Sequence, residues 1–155
     1  MNNWLPLLLT LVIQAMVSMA LLTLPVMAPV VAQDLQVSPA LVGIYVSMTY
    51  AGAMAASLMG GATVNRLGAI RVSQWGLLLC AAGLLLCAVP WFPAMGLGAV
   101  LIGLGYGPIT PASSHLLART TPKHQMSLVF SLKQTGVPLG SLLAGALVPP
   151  LLLVL

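Results

Sequence analysis

The sequence predicts an all-α fold, a polytopic transmembrane helical bundle of about five spans. Of its 155 residues 60% are apolar and 4% charged, with a mean hydropathy of +1.10. A water-facing surface cannot be built from that balance. Residues 1–33, 35–65 and 72–118 contain no Asp, Glu, Lys or Arg, and each run exceeds the roughly 20 residues a helix needs to cross a bilayer. The runs are also continuous, unlike the roughly 10-residue alternating segments of a membrane barrel. The net charge of +4 does not point to nucleic acid, because the bases flank apolar runs and form no basic face with stacking aromatics.

Polar and proline-rich breaks divide this single transmembrane domain, residues 1–155, into spans at about 5–31, 39–64, 72–89, 94–117 and 126–154. In the first connector, which holds the one acid, Asp34, Ser38 reads as an N-cap and Pro39 as a first helical residue. Asn65 to Arg71 forms the second connector, Pro90 to Pro93 the third and Ala118 to Gln125 the fourth. In the third span Cys80 and Cys87 lie seven residues apart, about 10 Å along one helix face. That is too far for a disulfide, so they read as small packing residues. Apart from Ser73 and Gln74 at its entrance, that span is apolar all round and is expected to face lipid.

Bases in short loops stay on the cytoplasmic side. The second and fourth connectors hold Arg66, Arg71, Arg119 and Lys123, and the first and third hold none. This predicts a multi-pass inner-membrane protein with a cytoplasmic N-terminus. Trp4, Trp75 and Trp91 fall at span ends, where indole favours the headgroup region. The start, Met1-Asn2-Asn3, has no base and precedes too long an apolar run for a signal peptide.

The second and fifth spans resemble each other. Gly52 to Ala62 aligns with Gly136 to Ala146 at an offset of 84 residues. An offset of three spans reverses direction, which is the pattern of an inverted repeat. Both segments place small residues at every fourth position: Gly52, Ala56 and Gly60 in one, Gly136, Gly140 and Ala144 in the other. Such stripes let helix backbones approach closely in lipid.

The connector after the second span carries a more specific pattern. Gly61-Ala62-Thr63-Val64-Asn65-Arg66-Leu67-Gly68-Ala69-Ile70-Arg71 resembles the loop signature of the major facilitator superfamily, with Asn65 in place of the family's acid and Arg71 alone for its basic pair. The resemblance implies a gating loop in which Gly61 permits close helix contact, Gly68 makes the turn, and Arg66 and Arg71 join a polar latch. Retention of the loop on the inner side is the simpler reading of both arginines. The resemblance also implies the N-terminal half of a transporter that moves a small solute by rocking its two halves. The chain is expected to stop after the fifth span, with the C-terminal half as its missing partner. A homodimeric transporter and a non-transporting membrane adaptor stay open as alternatives.

Polar residues at membrane depth are the candidates for contact with the solute. Gln14 and Ser18 share a face of the first span, and Tyr106, Thr110 and Ser113 share one of the fourth. Lys133, with Gln134 beside it, lies seven residues inside the fifth span, about 10 Å deep if the helix starts at Met126. Binding or gating is one reading of Lys133; snorkelling of its ammonium to the interface is the other. His115 and His124 have no nearby acid in sequence. No catalytic pair, metal site or cofactor motif is expected, and no enzymatic activity.

Overall fold

The computed structural model describes residues 4–34, 36, 38 and 40–154. Met1-Asn2-Asn3, Pro39 and Leu155, on which parts of the sequence reading fell, lie outside the described residues. Among those described, the elements are α1 (Trp4–Asp34), α2 (Ala40–Leu67), α3 (Ala69–Cys87), α4 (Phe92–Tyr106), α5 (Ile109–Thr120), a 3-10 turn (Lys123–Gln125), α6 (Met126–Gln134) and α7 (Gly136–Val154), with no strand. Trp4–Val30, α2, α3 and Phe92–Thr120 are long and apolar enough to cross a membrane. Ser38 does cap α2, its Oγ accepting from the Ala40 N–H at 3.3 Å.

Two expected spans are each built from two helices, and prolines explain both breaks. Pro111 has no N–H for the Gly107 carbonyl four residues earlier, and α4 gives way to α5 between Gly107 and Pro108. The freed Gly107 carbonyl instead accepts from the Ser57 hydroxyl of α2 at 3.0 Å. In lipid an irregular backbone persists only where neighbours satisfy it in this way. Pro138 stands in the same relation to Gln134, at which α6 ends. The expected single helix over 126–154 is therefore interrupted at Thr135, whose hydroxyl donates to the Leu132 carbonyl at 2.6 Å.

Packing is most extensive between α3 and α4, α1 and α7, and α2 and α4. Each contact runs along a seam where backbones nearly touch. A Cβ added at Gly83 would lie 2.7 Å from the Gly98 carbonyl oxygen, and one at Gly76 would lie 2.7 Å from that of Gly105. In α3, Cys80 and Cys87 press against Gly105 and Gly98, and both are free thiols. The expectation that α3 faces lipid holds for one of its faces. Val72, Ser73, Gly76, Cys80 and Gly83 form one buried stripe, while Trp75, Leu78 and Leu85 point outward. Small residues face the bundle because only they admit α4 so closely, and hydropathy does not register that distinction.

The seams also fix helix directions. From Gly52 to Gly60 the neighbours advance from Val100 to Pro111, so α2 runs parallel to α4 and α5. From Gly136 to Gly140 they advance from Leu11 to Met19, so α7 runs parallel to α1. From Gly76 to Gly83 they retreat from Ile109 to Gly98, so α3 runs antiparallel to α4 and α5. The second and fifth spans thus play one part twice, each laying its small-residue stripe on a parallel neighbour, as an inverted repeat requires.

Gly83→Val is expected to lower stability by about 1–3 kcal/mol through overpacking against Gly98 and Ile102. Gly43→Ala, whose methyl meets nothing within 4 Å, leaves stability unchanged or slightly raised. Unfolding midpoints in mixed micelles check both. Ser57→Ala should cost about 1 kcal/mol by stranding the Gly107 carbonyl. In a Pro111→Ala background, where the substituted residue supplies the missing N–H, the cost should shrink, and equal costs in the two backgrounds would refute the proline account.

Candidate functional site

The candidate site starts on α1, at the face that meets α7. Gln14 is fully buried and Ser18 nearly so, and neither the amide nor the hydroxyl has a hydrogen-bond partner among the described residues. Both sit opposite glycines. An added Cβ at Gly136 would meet Gln14 Cβ at 2.9 Å, and one at Gly140 would meet Ser18 Cβ at 2.7 Å. Close approach of the backbones therefore excludes neighbouring side chains that could have satisfied these polar ends. Thr10, one turn before Gln14, solves the same problem locally by donating to the Pro6 and Leu7 carbonyls.

Lys133 belongs to the same seam. Val129, Lys133, Gly136, Gly140 and Ala144 are all buried on one stripe of α6 and α7. Val129 packs with Leu7 and Leu117, and Gly136 contacts Leu11 and Gln14, which sets Lys133 between those two levels of α1. Its side chain is 1% exposed, so it does not snorkel to the surface. No hydrogen bond or ion pair reaches it among the described residues. The neighbouring Gln134 is exposed, because a step of one residue turns a helix by about 100°, and the structure does not bring it into the seam.

Of the fourth-span candidates, Tyr106 ends α4, and Thr110 and Ser113 follow the break on α5. Tyr106 is half-buried and turns toward Ser18 and Tyr50. Thr110 is exposed and lines a groove with Tyr106, Ser47, Tyr50 and Ser57. Ser113 is buried elsewhere, its hydroxyl donating to the Ile109 carbonyl at 2.7 Å. The candidates therefore form a buried seam of Lys133, Gln14 and Ser18 and an open groove of Tyr106 and Thr110, meeting where Ser18 faces Tyr106. The sequence reading missed Tyr50 and Ser57. Ser57 had a signal, since Pro111 strands the Gly107 carbonyl and a donor at membrane depth has to answer it.

In the loop after α2, Gly68 takes φ +83°, a left-handed conformation that favours glycine, and it makes the whole turn between α2 and α3. The close contact expected of Gly61 falls instead on Gly60, whose added Cβ would lie 2.8 Å from Pro111 Cγ, while Gly61 meets nothing within 4 Å. Asn65, Arg66 and Arg71 are exposed. Arg66 lines one cleft with Met59 and Thr63 and Arg71 lines another with His115 and Arg119. The two arginines flank the turn at Gly68 and line separate clefts that adjoin at Leu67. Among the described residues no group of three or more His, Cys, Asp or Glu is placed to hold a metal ion.

A family model described as Major Facilitator Superfamily matches residues 7–155. The chain is 31% identical over 121 residues, 75% of its length, to a chloroplastic Arabidopsis thaliana protein named anion transporter 3. It is 33% identical over 138 residues, 86% of its length, to a Haemophilus influenzae protein named as a metabolite transport protein. It spans 23% of the first relative and 33% of the second. No solved structure matches it. With its apolar helices and this match over nearly its full length, the chain is a multi-pass membrane protein that belongs to the major facilitator superfamily of transporters.

Proposed function

We propose that the chain helps to move a small anionic solute across the inner membrane by alternating access, as part of a longer transporter whose further helices complete the site. The observation that carries this reading is Lys133, a cation buried to 1% exposure in a seam that offers it no counter-charge. A charge at the bilayer centre costs about 2.5–3.5 kcal/mol on insertion scales, and one so placed persists where a partner or ligand offsets the cost. The unsatisfied Gln14 amide on the facing helix supplies a donor and an acceptor beside it. Ser18, Tyr106 and Thr110 continue the polar path into the groove. The relative named anion transporter 3 supports the same solute class.

The proposed orientation has the N-terminus in the cytoplasm. It rests on the bases of the second and fourth connectors and on the parallel run of α1 with α7, which places the starts of both at one side. Arg66, Asn65 and Arg71 then hold the loop inside. Cysteine labelling of Lys123→Cys from the inner side only is the expected result.

The solute reading is tested in the complete transporter. Lys133→Ala should lower uptake of an anionic solute about 10-fold or more, equivalent to about 1.4 kcal/mol. Lys133→Arg, which keeps the charge, should retain most of it. Equal uptake by wild type and Lys133→Ala, with equal amounts of folded protein, would reject the assignment.

A further inference from the structure

We propose that the cleft between the start of α3 and the end of α5 binds a phosphate-bearing anion, carried on a lipid headgroup or free in solution. Two helices furnish it. Arg71 and Gln74, three residues apart on α3, face His115 and Arg119, four residues apart on α5, across one opening floored by Gly68 and Ala69. Those spacings put each pair on one helix face, so four donor-bearing side chains converge without any of them being spent on the core. Arginine presents a planar fork of N–H donors suited to phosphate oxygens.

The backbone adds to the attraction. The turn at Gly68 starts α3 with no side-chain cap and no acid in its first turn, so its leading amides point outward with the positive end of the helix dipole. No carboxylate competes. Asp34 is the one acidic residue of the chain. The start of α1 lies beside this cleft, with Leu5 and Leu9 sharing a neighbouring cavity with Ile70 and Gln74. Asp34 is 29 residues beyond Leu5 along α1, about 44 Å away by the helix rise.

Depth selects the ligand class. Trp75, one turn beyond Arg71, is exposed, and indole on an outward face marks the headgroup region. The cleft therefore opens at the plane of lipid phosphates. Basic pockets between helices on the inner side of a membrane are suited to anionic headgroups. This cleft is separate from the Lys133 seam, and its occupant is not the transported solute.

The test uses the complete transporter in nanodiscs. Retention of phosphatidylglycerol over phosphatidylcholine is measured by native mass spectrometry, and the thermal shift with inorganic phosphate is measured in discs of phosphatidylcholine alone. Wild type should retain phosphatidylglycerol preferentially, and each of Arg71→Gln and Arg119→Gln should weaken that preference about 5-fold, the attraction typical of one base near an anionic surface. Lys123→Gln, which removes an exposed base outside the cleft, should leave it unchanged. Both arginines are exposed, and circular dichroism confirms that the variants fold. A phosphate-induced shift lost in both arginine variants, with no lipid preference, would assign the site to a free anion. Equal loss with Lys123→Gln, or neither a lipid preference nor a phosphate shift in wild type, would overturn the proposal. Anion uptake by these variants separates this outcome from failure of the Lys133 reading.

Discussion

Lipid tails are as apolar as the side chains they surround, so hydrophobic burial cannot hold these helices together and close backbone contact has to. The structure follows from that constraint. The main contacts, α3 on α4, α1 on α7 and α2 on α4, each run along glycines that leave no room for a Cβ. Large apolar residues such as Leu8, Leu58 and Leu85 are left on the outside, the reverse of a water-soluble bundle. The same seams fix direction and register, because a glycine row accepts a neighbouring backbone only along its length. They also decide which polar groups go unsatisfied: Gln14 faces bare glycine, which offers no side-chain partner.

A second constraint, that every backbone carbonyl in lipid needs a donor, shapes the breaks in the helices. Pro111 frees the Gly107 carbonyl and Ser57 of α2 answers it, so a kink in one helix is tied to the seam with another. Pro138 acts on the fifth span just after Lys133, ending α6 where the buried cation sits. Ordinary rotation of a continuous helix would have carried Lys133 and Gly136 through the same stripe. The break at Thr135 retains that stripe, and both α6 and α7 contact α1.

Much of this was legible in the sequence because hydropathy and charge report where lipid ends. The all-helical fold, the turn at Gly68 and the packing role of Cys80 and Cys87 all followed from patterns a few residues long. Helix ends did not follow, because polarity marks the membrane edge while helix termination depends on the backbone. Asn65 and Arg66 are polar yet helical, and only Gly68 interrupts the run from Ala40 to Cys87. The outward and inward faces of α3 were hidden for a related reason, since both are apolar and differ only in side-chain size. That Arg66 and Arg71 line different clefts depended on the turn at Gly68, which shifts helical phase between them. Simple counting along an unbroken helix cannot anticipate such shifts.

One consequence of composition reaches further than any local pattern. With five Lys and Arg against a single acid, the chain cannot neutralise its own charge, and its geometry sorts the bases by how each can be offset. Lys123 stands exposed after α5 and is solvated. Arg71 and Arg119 line one open cleft at the start of α3. Lys133 is buried in the seam that also holds the unpartnered Gln14 amide. A folded state that retains such a group is favoured by whatever anion enters the seam, and the closer the helices pack around it, the stronger that preference becomes, because a lower dielectric strengthens each charge interaction. On the proposed function, selectivity for an anion and the tight glycine packing of α1 on α7 are two results of one arrangement.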